Sequence, residues 1–557
     1  MKQIRKPFLI LKEGSKRTEG EDAIRVNIEA ARVIGETIKS TLGPQGMDKM
    51  LVDRLGGLVI TNDGATILEE IDVRHPAAKI MVEIARAQDS EVGDGTTTAV
   101  LLASELLTQA EKLLSLKIHP NIIVSGFKKA LNKSQQILQG LSLDVTLNDH
   151  TILRNIAKSA INNKLLGKME EYFANIAVDS VLKIRETRKN TSFADIEQIQ
   201  IIKHQGTSLS DTIMVNGIIL EKDLEHPDMP KRIDNARIAL LNVPLEIEKT
   251  KFNTEIRITT PLQIKSYLNE EDEILRKMVQ KIRECGANVV ISQKGMSLLV
   301  EHLLAKNNIL AIKRIRKKEM MKIQRATGGK VVSSVEDLRA DILGQAGLVE
   351  EKLIGTKKMI FIEKCKNPHS VSILIRGSIE HLLHEVERTL IDAMSVIADI
   401  VKDPRYLPGG GSIEIELAKK LREFAIQIGG REQLAIEAFA DALEIIPKTL
   451  AANGGFDPID ILVELRAKHS IAKNKYYGID VFNGKIVDMK VLGVLEPLIV
   501  KLQALKSATE AASMILKIDD VVAAKLIAPE RRAGAPGAEM GPQSPNLGPK
   551  SMGKMPR

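Results

Sequence analysis

The chain has 557 residues, more than one hydrophobic core accommodates, so its length predicts two to four domains, discontinuous ones included. Hydrophobic residues are 44% and charged residues 27%, which is ordinary for a globular protein, whereas aromatic residues are 3% and Trp is absent, so the cores must be aliphatic. The net charge of +8 falls partly on the C-terminal tail, and the remaining body is too weakly basic to argue for a nucleic-acid partner.

The cysteines and the apolar runs limit the cellular setting. Cys285 and Cys365 are the only cysteines, which suits a reducing compartment and excludes a disulfide framework or a multi-cysteine zinc site. No apolar run approaches the ~20 residues of a membrane span, and residues 1–14 lack a signal-peptide core. We therefore expect a cytoplasmic protein without membrane or nucleic-acid partners.

In the first 147 residues, predicted helices alternate with turns that contain glycine. The pattern predicts helices over residues 27–42 and 76–88, and a hairpin over residues 49–63. Further helices are predicted from residue 99 to about 141, with Pro120 at a first helical position. The turns are Leu42-Gly43-Pro44, Asn62-Asp63-Gly64 and Gly93-Asp94-Gly95.

The third of these turns opens a helix that begins with Thr96, Thr97 and Thr98. Its glycines can take backbone angles closed to other residues. The N–H groups of a first helical turn lack partners and lie at the positive end of the helix dipole, so the turn is suited to bind an anion. Asp94 can cap the helix or bind a divalent metal. We interpret the stretch as a phosphate cradle with a metal ligand, and the alternative is a structural helix capped by Asp94.

The middle of the chain changes character twice. From residue 148 to 217, predicted helices (153–161 and 169–182) and strands (196–202 and 212–220) indicate a small linking domain. From 218 to 368 an α/β pattern follows, with a parallel, right-handed βαβ unit over 288–313 and a final pair of strands at 359–363 and 371–375. A charged helix that starts at Pro261 is either a solvated surface helix or a projecting helix that contacts partners.

Helical character returns after residue 403, which suggests an all-helical domain interrupted by an insertion. Just before it, a predicted amphipathic helix over 378–400 carries Asp392 among apolar residues, where a carboxylate needs a partner or a function unless it lies at an exposed edge. The later predicted elements are the turn Gly409-Gly410-Gly411, a hairpin over 477–488 with an Asn-Gly turn, a helix over 497–516 and a disordered tail over 529–557.

Four glycine turns thus lie in helix-rich flanks, and two of them carry Asp63 or Asp94. If the turns converge, they supply backbone donors for phosphates, a metal ligand and a carboxylate that can orient water. Phosphoryl transfer needs little more than such positioning and charge neutralisation. The sequence lacks Gly-x-x-x-x-Gly-Lys-Ser/Thr, so an ordinary P-loop ATPase is not supported.

Several motifs, taken together, resemble one family. They are Leu42-Gly-Pro-Gln-Gly-Met-Asp-Lys-Met50, Ile60-Thr-Asn-Asp-Gly-Ala-Thr-Ile-Leu68, Gly93-Asp-Gly-Thr-Thr-Thr98, Gly409-Gly-Gly-Ser-Ile-Glu414 and Ile518-Asp-Asp-Val521. Over about residues 8–527 the chain resembles the group II chaperonins, and among them the archaeal thermosome subunits. The resemblance implies a multidomain α and α+β fold, in which a helical equatorial ATPase domain is interrupted by a small intermediate domain and an α/β apical domain with a helical protrusion.

The resemblance also implies domain boundaries. The equatorial domain would comprise residues 1–147 and 403–528, and the intermediate domain residues 148–217 and 369–402. The apical domain would span residues 218–368, with a lid protrusion near 245–282. Residues 529–557 would form the disordered tail.

The roles of individual residues follow from the same resemblance, which implies ATP and Mg²⁺ as the bound species. Asp94 resembles the magnesium ligand, and Asp63 and Asp392 resemble the pair that positions and activates the attacking water. Lys164 resembles a lysine that senses the γ-phosphate. The implied nucleotide contacts are Leu42, Gly43, Pro44, Gly64, Gly95, Thr96, Thr97, Thr98, Lys164, Gly410, Gly411, Asp480 and Glu496.

The function implied is that of an ATP-dependent chaperone subunit. It would enclose unfolded proteins in the cavity of a homo- or hetero-oligomeric double ring and couple ATP hydrolysis to lid closure and folding. One alternative is a structural ring or filament subunit with weak ATPase activity. Another is a small-molecule kinase that uses the same cradle, although no acceptor pocket is evident in the sequence.

Overall fold

The computed structural model describes residues 16–52, 56–161, 167–188, 191–206, 208–247, 261–365 and 370–523. The chain divides into two compact units, one formed by Met1–Ala23 with Asp519–Arg557 and the other by Ile24–Ile518. In the first unit, the strands Lys16–Glu19 and Asp520–Ala523 pair antiparallel. The hydrophobic cores and the cavity described below belong to the second unit.

The helices and strands have the following bounds. The helices are α1 (Glu21–Lys39), α2 (Gly64–Glu70), α3 (Pro76–Val92), α4 (Thr96–Ser115), α5 (Pro120–Leu141), α6 (His150–Ile161), α7 (Glu170–Ile184), α8 (Pro261–Glu284), α9 (Leu298–Lys306), α10 (Lys317–Thr327), α11 (Glu380–Lys402), α12 (Ser412–Ile428), α13 (Gly430–Leu443), α14 (Ile445–Asn453), α15 (Pro458–His469), α16 (Met489–Leu492) and α17 (Leu498–Ile515). The strands are β1 (Lys16–Glu19), β2 (Lys49–Val52), β3 (Leu58–Thr61), β4 (Leu143–Asp144), β5 (Glu186–Arg188), β6 (Thr191–Phe193), β7 (Gln200–Gln205), β8 (Ile213–Val215), β9 (Gly217–Leu220), β10 (Arg232–Leu241), β11 (Val289–Ser292), β12 (Leu310–Ile312), β13 (Val331–Val332), β14 (Gly344–Ile354), β15 (Lys357–Cys365), β16 (Ser372–Gly377), β17 (Arg405–Pro408), β18 (Tyr477–Asp480), β19 (Lys485–Asp488), β20 (Leu495–Pro497) and β21 (Asp520–Ala523).

The largest hydrophobic core joins helices from the two ends of the second unit. It contains buried residues of α1, α3, α4 and α5 together with residues of α12, α13 and α17. Phe127 and Phe439 of this core meet edge to face, with ring centroids 5.8 Å apart. The predicted helical character at both ends of the chain therefore corresponds to one shared core, and the rest of the unit lies between these helices in sequence.

A second core packs α6, α7 and α11 on a small sheet of order β7-β16-β8. The larger sheet, which we call the third layer, has the order β12-β11-β10-β14-β15-β9, with β13 also paired to β10. Buried apolar residues cover both faces of this sheet. The predicted βαβ unit is confirmed here, because β11 and β12 run parallel and α9 connects them. The predicted hairpins are confirmed as β2–β3 and β18–β19.

One predicted strand pair is wrong. The strands β15 and β16 do not pair: β15 lies between β14 and β9, whereas β16 lies between β7 and β8 in the smaller sheet. All six residues of β16 are buried, so it needs partners on both edges and neighbours on both faces, which a pair with β15 alone would not supply. The prediction paired β15 with β16 because the two strands are adjacent in sequence.

Two other predicted strands have different bounds. The stretch 196–202 begins with a 3₁₀ turn, Ile196–Gln198, in which the side chain of Asp195 accepts the backbone N–H of Glu197, so β7 starts only at Gln200. The stretch 212–220 is divided into β8 and β9, which belong to different sheets.

The charged helix is α8, and its C-terminal half is anchored. Leu275, Val279 and Ile282 are buried against the third layer, whereas the neighbouring Ile274 is 42% exposed. Residues 248–260, which make up much of the predicted protrusion near 245–282, lie outside the described residues. In the described part of the chain, no helix combines the length and apolarity needed to cross a bilayer.

Candidate functional site

The four glycine turns converge on one open cavity of about 300 Å³. Every predicted site residue lines this cavity except Lys164, which lies outside the described residues. The predicted residues at the cavity are Leu42, Gly43, Pro44, Asp63, Gly64, Asp94, Gly95, Thr96, Thr97, Thr98, Asp392, Gly410, Gly411, Asp480 and Glu496. Apolar side chains that include Ile479, Val494 and Leu495 form another part of the wall. The cavity thus offers both polar and apolar surface, as sites for amphiphilic ligands do.

Asp63 is held firmly by the turn that it starts. It is the N-cap of α2, and its two carboxylate oxygens accept hydrogen bonds from the backbone N–H groups of Ala65 (3.3 Å) and Thr66 (2.8 Å). The Thr66 hydroxyl donates to the same carboxylate at 2.7 Å, and the Thr96 hydroxyl donates to it at 3.2 Å. The hydrogen bond from Thr96 connects the Asp63 turn to the first residue of α4 and so fixes the positions of the two turns relative to each other.

The Asp94 turn joins α3 to α4 through two left-handed glycines. Gly93 (φ +64°) ends α3 with its N–H bonded to the carbonyl of Asp89, and Gly95 (φ +76°) is the N-cap of α4. One carboxylate oxygen of Asp94 accepts the Gly95 N–H at 2.6 Å. Asp94 is therefore presented at the N-terminus of a 20-residue helix, beside backbone donors that suit a phosphate.

Backbone contacts between turns explain why glycine is needed at two positions. A Cβ on Gly64 would lie 2.6 Å from the hydroxyl oxygen of Thr97, so this glycine lets the Asp63 turn approach α4. A Cβ on Gly410 would lie 2.5 Å from the sulfur of Met489, and the Gly410 carbonyl accepts the N–H of Ile479 at 2.9 Å. The Gly409–Gly411 turn is thereby fixed against the β18–β19 hairpin.

Asp392 reaches the cavity from α11, which otherwise packs in the second core. Its side chain is partly buried. Burial raises the pKa of Asp392 well above its ordinary value, and the charges of Asp63 and Asp94 add to this effect. Burial also raises the pKa of Asp94, and the Gly95 N–H and the charge of Lys501 offset only part of the shift. The positive charge near Asp94 and Asp392 therefore does not balance the negative charge of the carboxylates.

The charges on the cavity wall favour a cation. The acidic lining residues are Asp63, Asp94, Asp392, Asp480 and Glu496, whereas Lys501 is the only basic one among the lining residues that the structure describes. No three carboxyl, imidazole or thiol groups come close enough, in the described ranges, to form a metal cluster by themselves. Mg²⁺ is usually held by one or two carboxylates, waters and the phosphates of a substrate, and the wall offers carboxylates of this kind, among them Asp94.

Lys501 is a cavity residue that the sequence analysis missed. It is 6% exposed and pairs with Glu414 (2.5 Å) and Glu496 (2.9 Å). Burial disfavours its charge, but the two carboxylates outweigh burial and raise the pKa of Lys501, while burial raises the pKa of Glu496 to about 7. Its spacing in the sequence could have indicated that Lys501 is buried. Lys501 lies three residues after Leu498 and four before Leu505, on the apolar stripe of α17.

Replacing Lys501 with methionine is expected to lower the free energy of unfolding by about 3–5 kcal/mol, because Glu414 would be left charged and buried without its partner. Denaturant unfolding followed by circular dichroism measures the loss. The matched control is Lys277→Met, which breaks an exposed pair with Glu273 and should cost less than about 1 kcal/mol. Equal losses in the two variants would contradict the prediction, and adding Glu414→Gln to Lys501→Met should recover part of the stability.

Asp480 lines the cavity and also closes the turn of its own hairpin. One of its carboxylate oxygens accepts the N–H of Phe482 at 3.1 Å, and the other accepts the side-chain amide of Asn483 at 2.7 Å. These bonds shape the four-residue loop of the β18–β19 hairpin, in which Gly484 takes the left-handed conformation. The role of Asp480 as a nucleotide contact stays a prediction.

Asp399 lies two helical turns after Asp392 on α11 and makes a prediction about pH dependence possible. It is 8% exposed, and one of its carboxylate oxygens has no hydrogen-bond partner among the described residues. Burial raises the pKa of Asp399 from 3.8 to about 7, with Lys402 opposing the shift and Asp94 adding to it. A group whose pKa is raised by folding contributes stability below its unfolded pKa, and that contribution is lost as the pH rises through the folded value.

The variant Asp399→Asn should therefore gain stability relative to the wild type as the pH rises from 5 to 8, by roughly 2–3 kcal/mol. The measurement is the difference in unfolding midpoint between the two proteins at each pH. The control is Asp457→Asn, because Asp457 caps α15 at an exposed position. A difference between wild type and Asp399→Asn that does not change with pH would refute the prediction.

Comparison with known proteins adds independent findings. The model of the TCP-1/cpn60 chaperonin family matches residues 34–526. The chain is 51% identical to the thermosome subunit beta of Sulfurisphaera tokodaii over 518 residues, which is 93% of this chain and 94% of the relative. It is 51% identical to a thermosome subunit of Pyrococcus horikoshii (94% and 95% covered) and 50% identical to the thermosome subunit beta of Thermococcus kodakarensis (96% and 97% covered).

Proposed function

The chain belongs to the TCP-1/cpn60 chaperonin family, whose members are ATP-hydrolysing protein-folding chaperones, and from this premise we propose how its cavity works. We propose that the cavity binds ATP with Mg²⁺ and that hydrolysis drives the enclosure of unfolded proteins in a double ring. The observation that carries the proposal is the convergence of four glycine turns and three carboxylates, Asp63, Asp94 and Asp392, on one cavity.

The phosphates would lie at the N-terminus of α4. Thr96, Thr97 and Thr98 of its first turn line a cavity whose carboxylates repel anions, so a triphosphate needs a cation there. Asp94 would hold Mg²⁺, which when bound neutralises phosphate charge. The nucleoside would lie toward the Gly409–Gly411 turn, where Ile479 and Val494 give apolar contact and Glu496 gives a polar one.

Asp63 and Asp392 would orient the attacking water. Asp63 is preorganised, because four donors from two elements fix its carboxylate. Asp392 comes from α11 and is suited to accept a proton, since its surroundings disfavour its charged form. The two carboxylates approach the cavity from different parts of the fold, so hydrolysis would depend on how α11 is placed.

We further propose the domain layout of the family for this chain. The equatorial domain would be residues 1–147 and 403–528, the intermediate domain 148–217 and 369–402, and the apical domain 218–368 with a lid near 245–282. The shared core of the terminal helices and the separate cores of the two sheets support this division. The partners would be unfolded proteins and other subunits of a homo- or hetero-oligomeric double ring in the cytoplasm.

Phosphate release and electron microscopy of the purified protein, each with and without ATP, test the proposal together. We expect double rings that hydrolyse ATP only when Mg²⁺ is present and that close when ATP is added. Rings without hydrolysis would instead favour a structural subunit with weak ATPase activity. The comparisons give that alternative no support, because the relatives reported above are named as thermosome subunits.

A further inference from the structure

The helix that carries Asp392 is attached to the cavity at two points, one on each side of that residue. Four residues before Asp392, Arg388 contacts Thr61 of β3; three residues after it, Ser395 contacts Gly93 of the Asp94 turn. Residues spaced by three or four lie on one face of a helix, so both contacts and Asp392 face the same way. We call these the two docking contacts of α11.

The first docking contact is a buried hydrogen-bond network. Nη1 of Arg388 donates to the hydroxyl oxygen of Thr61 at 2.7 Å and to the carboxylate of Glu385, one turn earlier on α11, also at 2.7 Å. Thr61 is 1% exposed and Glu385 is 5% exposed. The Thr61 hydroxyl oxygen also accepts the backbone N–H of Asp63 at 3.1 Å. One hydroxyl therefore connects the helix of Asp392 to the backbone of Asp63.

The second docking contact is steric. A Cβ on Gly93 would lie 2.4 Å from the Cβ of Ser395, so the backbone of the Asp94 turn touches α11 with no side chain between them. The Ser395 hydroxyl is turned to its own helix, where it donates to the carbonyl of Ile391 at 2.9 Å. Ser395 is thus a small residue at a close approach, and its volume sets the distance from α11 to the Asp94 turn.

We propose that Arg388 and Ser395 are positioning residues for hydrolysis, because their contacts with Thr61 and Gly93 hold Asp392 over the cavity. This rests on the proposed role of Asp392. Neither Arg388 nor Ser395 lines the cavity, so neither is expected to contribute to nucleotide affinity. Loss of either contact should lower kcat with little change in KM for ATP, because a misplaced catalytic group costs rate even when the substrate still binds.

Ser395 offers a matched pair of variants. Ser395→Leu adds volume against Gly93 and should push α11 away from the Asp94 turn, which lowers kcat by about 10- to 100-fold. Ser395→Ala removes the hydroxyl and adds nothing, so it should keep the wild-type rate. Equal rates in the two variants would overturn the steric contact.

Arg388 is tested by a double-mutant cycle with Asp392→Asn. Arg388→Met alone should lower kcat by about 10- to 100-fold, Arg388→Lys should lie between it and the wild type, and Arg388→Met should have no further effect once Asp392 is already Asn. Arg32→Met breaks a pair of the same i, i+3 spacing with Glu29; neither residue lines the cavity, so this variant is the control for side-chain loss.

The outcomes separate two failures. Additive losses in the cycle, or slow hydrolysis by Asp392→Asn with normal hydrolysis by both Arg388→Met and Ser395→Leu, would overturn the docking contacts and leave the role of Asp392 intact. Normal hydrolysis by Asp392→Asn itself would overturn both. Should Arg388→Met fail to fold, the Ser395 pair decides, since those two variants leave the buried network unchanged.

Discussion

Asp94→Ala is expected to abolish magnesium-dependent ATP turnover, with a fall of roughly 10³-fold or more in kcat. Asp94 is the carboxylate at the N-terminus of α4, beside the donors proposed to hold the phosphates. A metal ion at a transferring phosphoryl group contributes several kcal/mol to the stability of the transition state. Phosphate release measured over a magnesium titration checks the result, and turnover at the wild-type rate would defeat the assignment.

A second variant separates metal binding from helix capping. Asp94 also accepts the N–H of Gly95, so alanine removes a hydrogen bond as well as a charge. Asp94→Asn can keep that bond through its amide oxygen but loses the charge, and we expect it to be nearly as inactive as Asp94→Ala. If Asp94→Asn hydrolyses ATP normally, Asp94 is only a cap. Asp457→Ala is the control, since it removes an exposed Asp that caps α15 and does not line the cavity.

The local parts of the site could be predicted because a few consecutive residues determine each of them. A glycine turn before an apolar helix needs no distant partner to be recognised, and the turns at Gly43, Asp63, Asp94 and Gly410 all line the cavity. The βαβ unit was predictable for the same reason, since its short connections and its handedness leave few alternatives.

The parts that depend on distant partners could not be predicted. Arg388 and Thr61 are 327 residues apart in sequence, and nothing in the pattern of α11 distinguishes this arginine from a solvated one. Lys501 occupies an apolar stripe, but its two carboxylate partners lie on different elements. The false pair of β15 and β16 has the same cause: strand partners are decided by burial across the whole sheet, not by adjacency along the chain.

Removal of the Asp392 carboxylate is expected to have the second large effect on ATP hydrolysis. Asp392→Asn should bind ATP as the wild type does, because the turns at Asp63, Asp94 and Gly410 are unchanged, while hydrolysis falls by roughly 10²- to 10⁴-fold, as expected for loss of a general base. Glu380→Gln, at an 80% exposed position on the same helix, is the control for loss of a carboxylate. ATP binding is measured by calorimetry and hydrolysis by phosphate release.

Stability decides between a catalytic and a structural reading of a slow Asp392→Asn variant. Burial and the charges of Asp63 and Asp94 raise the pKa of Asp392, so its ionised form is unfavourable in the folded protein and a neutral asparagine should leave stability unchanged or increased. A slow variant that unfolds no earlier than the wild type has therefore lost chemistry and not structure. ATP should still start closure of its rings, because binding precedes the step that Asp392 serves; normal hydrolysis, or loss of ATP binding itself, would each sink the role proposed here.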